Sequence, residues 1–407
     1  MEMKPGYKQT EAGVIPDDWE VRHFSDHFKI YAGGDVPKHS LSQTQSESHP
    51  YPIFANALQN KGLYGYTAER RSNANSLTIT ARGYLGHAEY RDDPFFPIVR
   101  LLVMEPTGEL DARYTTYAVN DRVKFSIEST GVPQLTAPQV GKYFVAAAPT
   151  LSEQRAIAAA LSDVDGLLSA MDRLIAKKRD LKQAAMQQLL TGRSRLSGFQ
   201  GKWEKKRFGD VISHCFSGAT PRRNRPEYYR GNVRWITSGE LNYNVITDTV
   251  EKISDEAVAA TNLSIIPVGT FLMAITGLEA EGTRGACGIV GKPSATNQSC
   301  MAVFPTAALV TNFLFYYYVF RGKQLALQYC QGTKQQSYTA RLVKQLPIDL
   351  PPSLAEQTAI AKVLADIDAE LAALKQRREK TDALKQAMMQ ELLTGKSRLV
   401  PPGEAHA

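Results

Sequence analysis

The sequence predicts an α+β chain in which two globular segments alternate with two long helices, all laid out as one internal repeat. The repeat is the first observation behind this reading. PTLSEQRAIAAALSDVDGLL from Pro149 lies over PSLAEQTAIAKVLADIDAEL from Pro352, and LKQAAMQQLLTG from Leu181 lies over LKQAMMQELLTG from Leu384. From Leu189 to Leu392 the offset is 203 residues; no gap is needed, and about half of the aligned positions are identical. The second observation is a set of shared landmarks ahead of each helix. Trp19-Glu20-x-x-x-Phe24-x-Asp26 matches Trp203-Glu204-x-x-x-Phe208-x-Asp210, followed by Gly34 and Pro37 against Gly218 and Pro221. The third is an apolar seam. Ile157, Leu161, Val164, Leu168, Met171 and Ile175 alternate four- and three-residue steps, as do Ile360, Leu364, Ile367, Leu371 and Leu374. That is coiled-coil spacing.

Taken in order, the elements divide the chain at residues 1–148, 149–196, 197–350 and 351–399, with a tail at 400–407. The globular segments read as short strands and turns. SLTITARGYLGHA from Ser76 and GTFLMAITG from Gly269 are apolar strands that end at glycines, and Gly, Pro and Asn punctuate both segments. Each helical segment has about 40 residues, hence roughly 60 Å of helix at ~1.5 Å per residue. A helix this long with an apolar seam needs a partner, and the other copy is the obvious one. Antiparallel packing is expected, with a domain at each end of the pair. The seam weakens at AKKRD (176–180) and KQRREKTD (375–382), which read as solvated faces, the alternative being faces turned to another protein or DNA.

The closing stretch LLTGKSRL imitates the tail of a phosphate-binding loop, but Gln390 stands where the loop's first glycine belongs. Thr394-Gly395 reads instead as a helix stop. Hydrophobic residues make up 43% of the 407, which is ordinary for a chain that buries cores. TNFLFYYYVF (311–320) is too short to span a bilayer and stops at Arg321. With no apolar signal core at the N-terminus, a cytoplasmic location is expected. Cys215, Cys287, Cys300 and Cys330 form no C-x-x-C pair, so free thiols are expected rather than a disulfide framework or a zinc site. The net charge of +7 allows a polyanionic partner. Lys202, Lys205, Lys206, Arg207, Arg222, Arg223, Arg225, Arg230 and Arg234 cluster with Tyr228, Tyr229 and Trp235 interleaved, a mixture suited to phosphate and base contact.

Catalytic constellations are not visible. DDPFF (92–96) lacks the second proline of an amino-methyltransferase turn, His23 and His27 have no H-E-x-x-H glutamate, and no serine sits in a G-x-S-x-G elbow. No catalytic or metal-binding residue is assigned. A duplicated, basic pair of domains on spacers fits recognition of two short sites at a fixed separation.

At this point the residues resemble a family: the specificity subunits of type I restriction–modification systems. The marks are two copies of L-[SA]-E-Q-x-A-I-A-x-x-L-[SA]-D-x-D (151–165 and 354–368) and the two LLTG[RK]SRL ends. YPIFANALQNKGLYGY (51–66), GVPQLT (131–136), VRWITSGEL, TNQSCMAVFP and the run from Gly332 to Pro352 accompany them. The resemblance implies two target recognition domains, each reading one half of a bipartite DNA site, and an antiparallel coiled coil that sets the gap. It implies docking of two modification subunits, which use S-adenosylmethionine to methylate adenine N6, and of restriction subunits that use ATP and Mg. The chain itself is then non-catalytic and binds no cofactor.

Base-reading residues are not set by such motifs, so candidates are nominated by chemistry, Arg or Lys for guanine and Asn or Gln for adenine. In the first domain they are Asn56, Asn60, Lys61, Tyr64, Arg82 and Tyr84. In the second they are Arg222, Arg223, Asn224, Arg225, Tyr243, Arg284, Lys334, Gln335, Gln336 and Tyr338. Gly34, Gly86, Gly218 and Gly277 are expected to form turns. The competing readings are a stand-alone methyltransferase or nuclease, a coiled-coil adaptor without DNA contact, and an inactive specificity subunit. The target bases and the gap length are not legible.

Overall fold

The computed structural model describes residues 5–126, 133–330 and 336–399. It separates into two compact units, residues 1–172 with 376–407, and residues 173–375. The divisions fall inside two helices of 39 residues each, Leu151–Leu189 and Leu354–Leu392. Each unit therefore joins one globular body to the first half of one long helix and the second half of the other.

In the first unit an antiparallel sheet runs in the order Phe28–Ala32, Leu102–Pro106, Ser76–Ile79, Ala88–Arg91. A smaller sheet places Tyr51–Phe54 between Leu63–Thr67 and Phe96–Pro97, the latter pair parallel. Glu20–His23 pairs with Phe144–Ala147, so the two ends of the globular body meet just before the long helix begins. Helix Ala112–Arg122 packs on the main sheet, capped by the Asp111 side chain, which accepts from the Tyr114 N–H.

The second unit repeats this order. Ile212–Ser217, Cys300–Pro305, Phe271–Ala274 and Cys287–Val290 form the main sheet, and Asn244–Ile246 adds a parallel fifth strand. Val233–Ile236 lies between Lys252–Ile253 and Ser294–Thr296 in the smaller sheet. Glu204–Arg207 pairs with Pro347–Leu350. The aromatic run read in the sequence as too short for a membrane opens the domain helix Thr311–Tyr329, and Phe313, Tyr317 and Tyr318 fill the core beneath it. Among the described residues no helix is long and apolar enough to cross a membrane. Ser76–Ile79 and Phe271–Ala274 are buried at every position, which is why they read as unbroken apolar runs rather than alternating ones.

The long helices pack antiparallel within each unit. In the first, Asp165 pairs with Lys385 at 2.7 Å and Asp172 with Arg378 at 3.0 Å, so seven residues forward on one helix match seven back on the other. In the second, Lys178 pairs with Glu370 and Lys182 with Asp368, the latter at 2.6 Å. The predicted seam residues divide between two tasks. Ile157 and Leu161 enter the first globular core beside Met389, Leu392 and Leu393, and Ile360 and Leu364 enter the second beside Met186, Leu189 and Leu190. Leu168, Met171, Ile175 and Leu371 are buried along the helices themselves. Val164, Ile367 and Leu374 are only half-buried, so the continuous seam is shorter than its spacing predicts, because charged pairs take over there. AKKRD and KQRREKTD are mostly exposed.

Both helices stop as predicted. Gly192 and Gly395 take φ of +67° and +65°, and each comes close to a tryptophan, Gly395 to Pro16 as well. A Cβ on Gly192 would stand 3.1 Å from the Trp203 ring, and one on Gly395 2.9 Å from the Trp19 ring. Gly34 and Gly218 serve differently from the turns expected of them. A Cβ on Gly218 would stand 1.7 Å from the Thr296 carbonyl oxygen, so that glycine marks a close backbone approach, whereas one on Gly34 would meet only the movable end of the Arg71 side chain. Gly86 and Gly277 do carry positive φ. All four cysteines are free, and burial raises the thiol pKa of Cys287 and Cys300.

Candidate nucleic-acid interface

Three segments converge at one edge of the first domain: the loop after Tyr51–Phe54, the loop between Ser76–Ile79 and Ala88–Arg91, and the chain near Gln134. Asn56 organises them. Its amide oxygen accepts from the Ala81 N–H at 2.6 Å and its amide nitrogen donates to the Arg82 carbonyl. Arg82 bridges to Gln134 through the backbone, and Arg100 donates to the Gln134 side chain at 3.3 Å. The edge thus brings Arg82, Arg100 and Gln134 together with Tyr84, which is 65% exposed. Asn56 is a candidate reader by its chemistry, but both halves of its amide are occupied by backbone, so it builds the loops.

Asn60 and Lys61 form a sharp turn with φ of 49° and 52°. Both are exposed, as is Tyr64 on the following strand. Beneath them a cavity of about 570 Å³ is lined in part by Tyr51, Phe54, Tyr66 and Arg91. Arg91 is buried, lies 3.7 Å over the Phe54 ring, and donates to Thr78 and to the Lys61 carbonyl, each at 3.0 Å. Burial pushes its pKa down to about 10, opposed by Glu89. Nothing in the sequence separated Arg91 from other strand residues.

The second domain assembles the corresponding segments. Arg284 donates to the carbonyls of Leu278 and Glu279 at 2.9 and 2.8 Å, and the Gln336 N–H donates to Glu279 at 2.8 Å. Tyr243, exposed with φ of 57°, donates its N–H to the Cys287 carbonyl. Arg222, Arg223, Asn224 and Arg225 are exposed but belong to a separate cluster around Trp235. There Arg223 is held by Glu251 through two hydrogen bonds of 2.5 and 2.9 Å and lies 4.4 Å from the Tyr229 ring centre. Arg225 pairs with Glu227 at 3.2 Å.

Some expectations need correction. Tyr338, a candidate reader by its chemistry, is 3% exposed and packed in the core that also holds Tyr318, so its ring is spent on packing. Trp235 is buried too, its indole N–H donating to the Ala219 carbonyl at 3.2 Å. The interleaved aromatics of the basic stretch are therefore a small core, with Tyr228 and Tyr229 packed on it. Lys206 and Arg234 are also paired with acids, to Glu204 and Asp248, which reduces the bare positive charge. Lys334 and Gln335 lie outside the described residues.

The repeated motifs do not sit at these loops. They lock each domain to its helices. Glu153 receives Arg398 through two contacts, one at 2.8 Å, while Arg398 also reaches Asp18 at 2.9 Å. In the second unit Glu356 receives Arg195 at 2.5 and 2.6 Å. The neighbouring glutamines cap the domain helices: Gln154 accepts from the Asp111 N–H and Gln357 from the Val310 N–H, both at 2.8 Å. The Glu-Gln pair of one motif and the arginine of the other are thus parts of one joint, made twice.

Residues 16–177 and 200–383 both match the type I restriction modification DNA specificity domain. The chain belongs to this family. Within it, the putative MjaX specificity subunit of Methanocaldococcus jannaschii is 24% identical over 430 residues, covering 97% of each chain. Two putative type I specificity subunits of Mycoplasma pneumoniae are 29% and 30% identical over 155 and 159 residues, and the match spans only 45% and 43% of their length. The crystal structure of a type I restriction–modification S subunit from M. genitalium shares the fold, with a TM-score of 0.66 at 15% identity over 96% of this chain and 99% of that one.

Proposed function

We propose that this chain is the DNA-reading subunit of a type I restriction–modification complex, with target recognition domains at residues 1–148 and 197–350. Residues 149–196 and 351–399 are the spacer helices, and 400–407 a tail. Each domain reads one half of a bipartite target in double-stranded DNA. The helices set the gap and dock two modification subunits, and restriction subunits complete the assembly. The observation that carries this reading is the paired loop edge. Two domains of unlike sequence bring equivalent loops to the same edge of the same sheet order, one with Arg82, Tyr84 and Arg100, the other with Tyr243, Arg284 and Gln336. A repeated scaffold with divergent loop chemistry suits two different half-sites.

Catalysis belongs to the partners in this reading. S-adenosylmethionine, ATP and Mg act in the modification and restriction subunits, and this chain supplies no reacting group. Of the candidate residues, Asn60, Lys61, Tyr64, Arg82 and Tyr84 in the first domain, and Arg222, Arg223, Asn224, Arg225 and Tyr243 in the second, present exposed side chains for DNA contact, Arg223 and Arg225 being paired with Glu251 and Glu227. The test is to map N6-methyladenine genome-wide in cells carrying the partner genes, with and without this gene. Loss of methylation at one two-part motif is expected. Unchanged methylation in cells whose modification subunit is expressed and active would refute the reading.

A further inference from the structure

One arrangement outside the loop edge is built twice and is not used by DNA reading itself. In the first unit Asp165 divides its carboxylate. One oxygen takes the Lys385 ammonium of the opposite helix at 2.7 Å, and the other accepts from the Tyr117 hydroxyl of the domain helix at 2.7 Å. In the second unit Asp368 does the same, with Lys182 at 2.6 Å and the Tyr316 hydroxyl at 3.1 Å. Each ammonium also stands over the tyrosine it accompanies, 5.5 Å from the Tyr117 ring centre and 5.8 Å from that of Tyr316.

The aspartates and lysines are repeat mates at the 203-residue offset, and the tyrosines are mates at a shift of 199, each the sixth residue of its domain helix, Ala112–Arg122 or Thr311–Tyr329. Asp111 and Val310, the residues that the two glutamines hold, stand at the same shift. The tyrosine is kept in both copies although most of the residues around it on the two helices differ. Core packing alone would be served by phenylalanine at either position. Burial, with the aspartate beside it, raises the pKa of both hydroxyls, so they remain donors at any physiological pH.

The geometry shows what the hydroxyl adds. Each domain helix is already held near its start by a glutamine, Gln154 on the Asp111 N–H and Gln357 on the Val310 N–H. The shared core and the Glu153–Arg398 and Glu356–Arg195 joints hold the body of each domain, but the glutamine ties its domain helix only at the start. The tyrosine is a second anchor six residues further along each domain helix, roughly 9 Å away at ~1.5 Å per residue. Two anchors fix the angle between the domain helix and the long helices. A slip of ~1 Å at the second anchor would turn the domain by ~6° about the first. Across a domain ~25 Å wide that moves the loop edge by 2–3 Å, close to the ~3.4 Å rise of one base pair.

We propose that Tyr117 with Asp165 and Lys385, and Tyr316 with Asp368 and Lys182, are positioning residues that fix the angle of each reading domain on its helices and thereby hold the complex to one half-site spacing. This rests on the bipartite DNA-reading function proposed above. The test uses the full complex with modification subunits and compares methylation rates on duplexes carrying both half-sites at the native spacing and at one base pair more or less. Wild-type complex is expected to prefer the native spacing at least tenfold. The Y117F/Y316F double variant is expected to reduce that preference at least threefold while methylating the native-spacing duplex at a similar rate. A second variant, D165N/D368N, removes the lysine pairing and is expected to relax spacing in the same direction. A purely structural role predicts equal losses at every spacing, and an unchanged preference in both variants would overturn the proposal alone. A wild-type complex indifferent to spacing would overturn the bipartite reading and this proposal with it.

Discussion

Arg195 offers the sharpest test of how the repeated motifs act. Its guanidinium meets Glu356 side by side at 2.5 and 2.6 Å and donates to the carbonyls of Gly201 and Gln200. The Glu356 side chain is only 1% exposed, while that of Arg195 keeps 22%. R195M would strand a buried carboxylate without its counter-charge, a class of change that costs roughly 3–5 kcal/mol. Partial exposure of the arginine puts the expectation at the low end, about 3 kcal/mol. Urea unfolding reads this through fluorescence, since Trp203 and Trp235 report from the same unit. With a slope of about 2 kcal/mol per molar, the midpoint should fall by about 1.5 M. R195M/E356M removes both charges and should recover at least half of the loss. A loss below about 1 kcal/mol for R195M, or a double variant worse than either single one, would refute the reasoning.

The remaining predictions address other parts of the structure. G218A should destabilise the second unit by at least ~1–3 kcal/mol, because the added methyl meets a carbonyl oxygen that cannot withdraw; an unchanged melting temperature would contradict the close approach. R82A should weaken recognition of one half-site by ~1–3 kcal/mol if Arg82 reads a base, and competition between duplexes altered in either half should show the other half unaffected. R222A, which removes an exposed cation with no ion pair among the described residues, should lower the salt dependence of DNA affinity by about one unit of log–log slope if it meets a phosphate. Tyr117 and Tyr316 have raised pKa values, so the stability they contribute is complete below the unfolded value near 10 and is lost as pH rises above it. Y117F/Y316F should therefore flatten the decline in stability above about pH 10, measured by urea unfolding at each pH.

Much of the scaffold was legible because it is written twice. The long helices, their glycine stops and the two apolar core strands follow from periodicity and repetition, and they appear where expected. What escaped was where side chains are spent. The spacing of Ile157, Leu161, Ile360 and Leu364 is that of a helix seam, yet these residues serve globular cores, since heptad spacing marks an apolar face without naming what covers it. Tyr338 and Trp235 look like stacking platforms in sequence, but their rings are core, and Arg223 is absorbed by Glu251, some 28 positions away. Asn56 reads as an adenine reader by chemistry, whereas its amide is spent on its own loops. Such outcomes depend on contacts between distant segments, which local pattern does not carry. The twin joints Glu153–Arg398 and Glu356–Arg195 were visible only as repeated letters; their partners lie 245 and 161 positions apart.

The central claim is that one chain reads two short sequences at a fixed separation. Selection of randomised duplex DNA by this chain assembled with its proposed modification subunits tests it most directly. The account predicts two conserved blocks of a few base pairs divided by an unspecified gap of constant length. A single uninterrupted block, two blocks at freely varying separation, or no enrichment would contradict it.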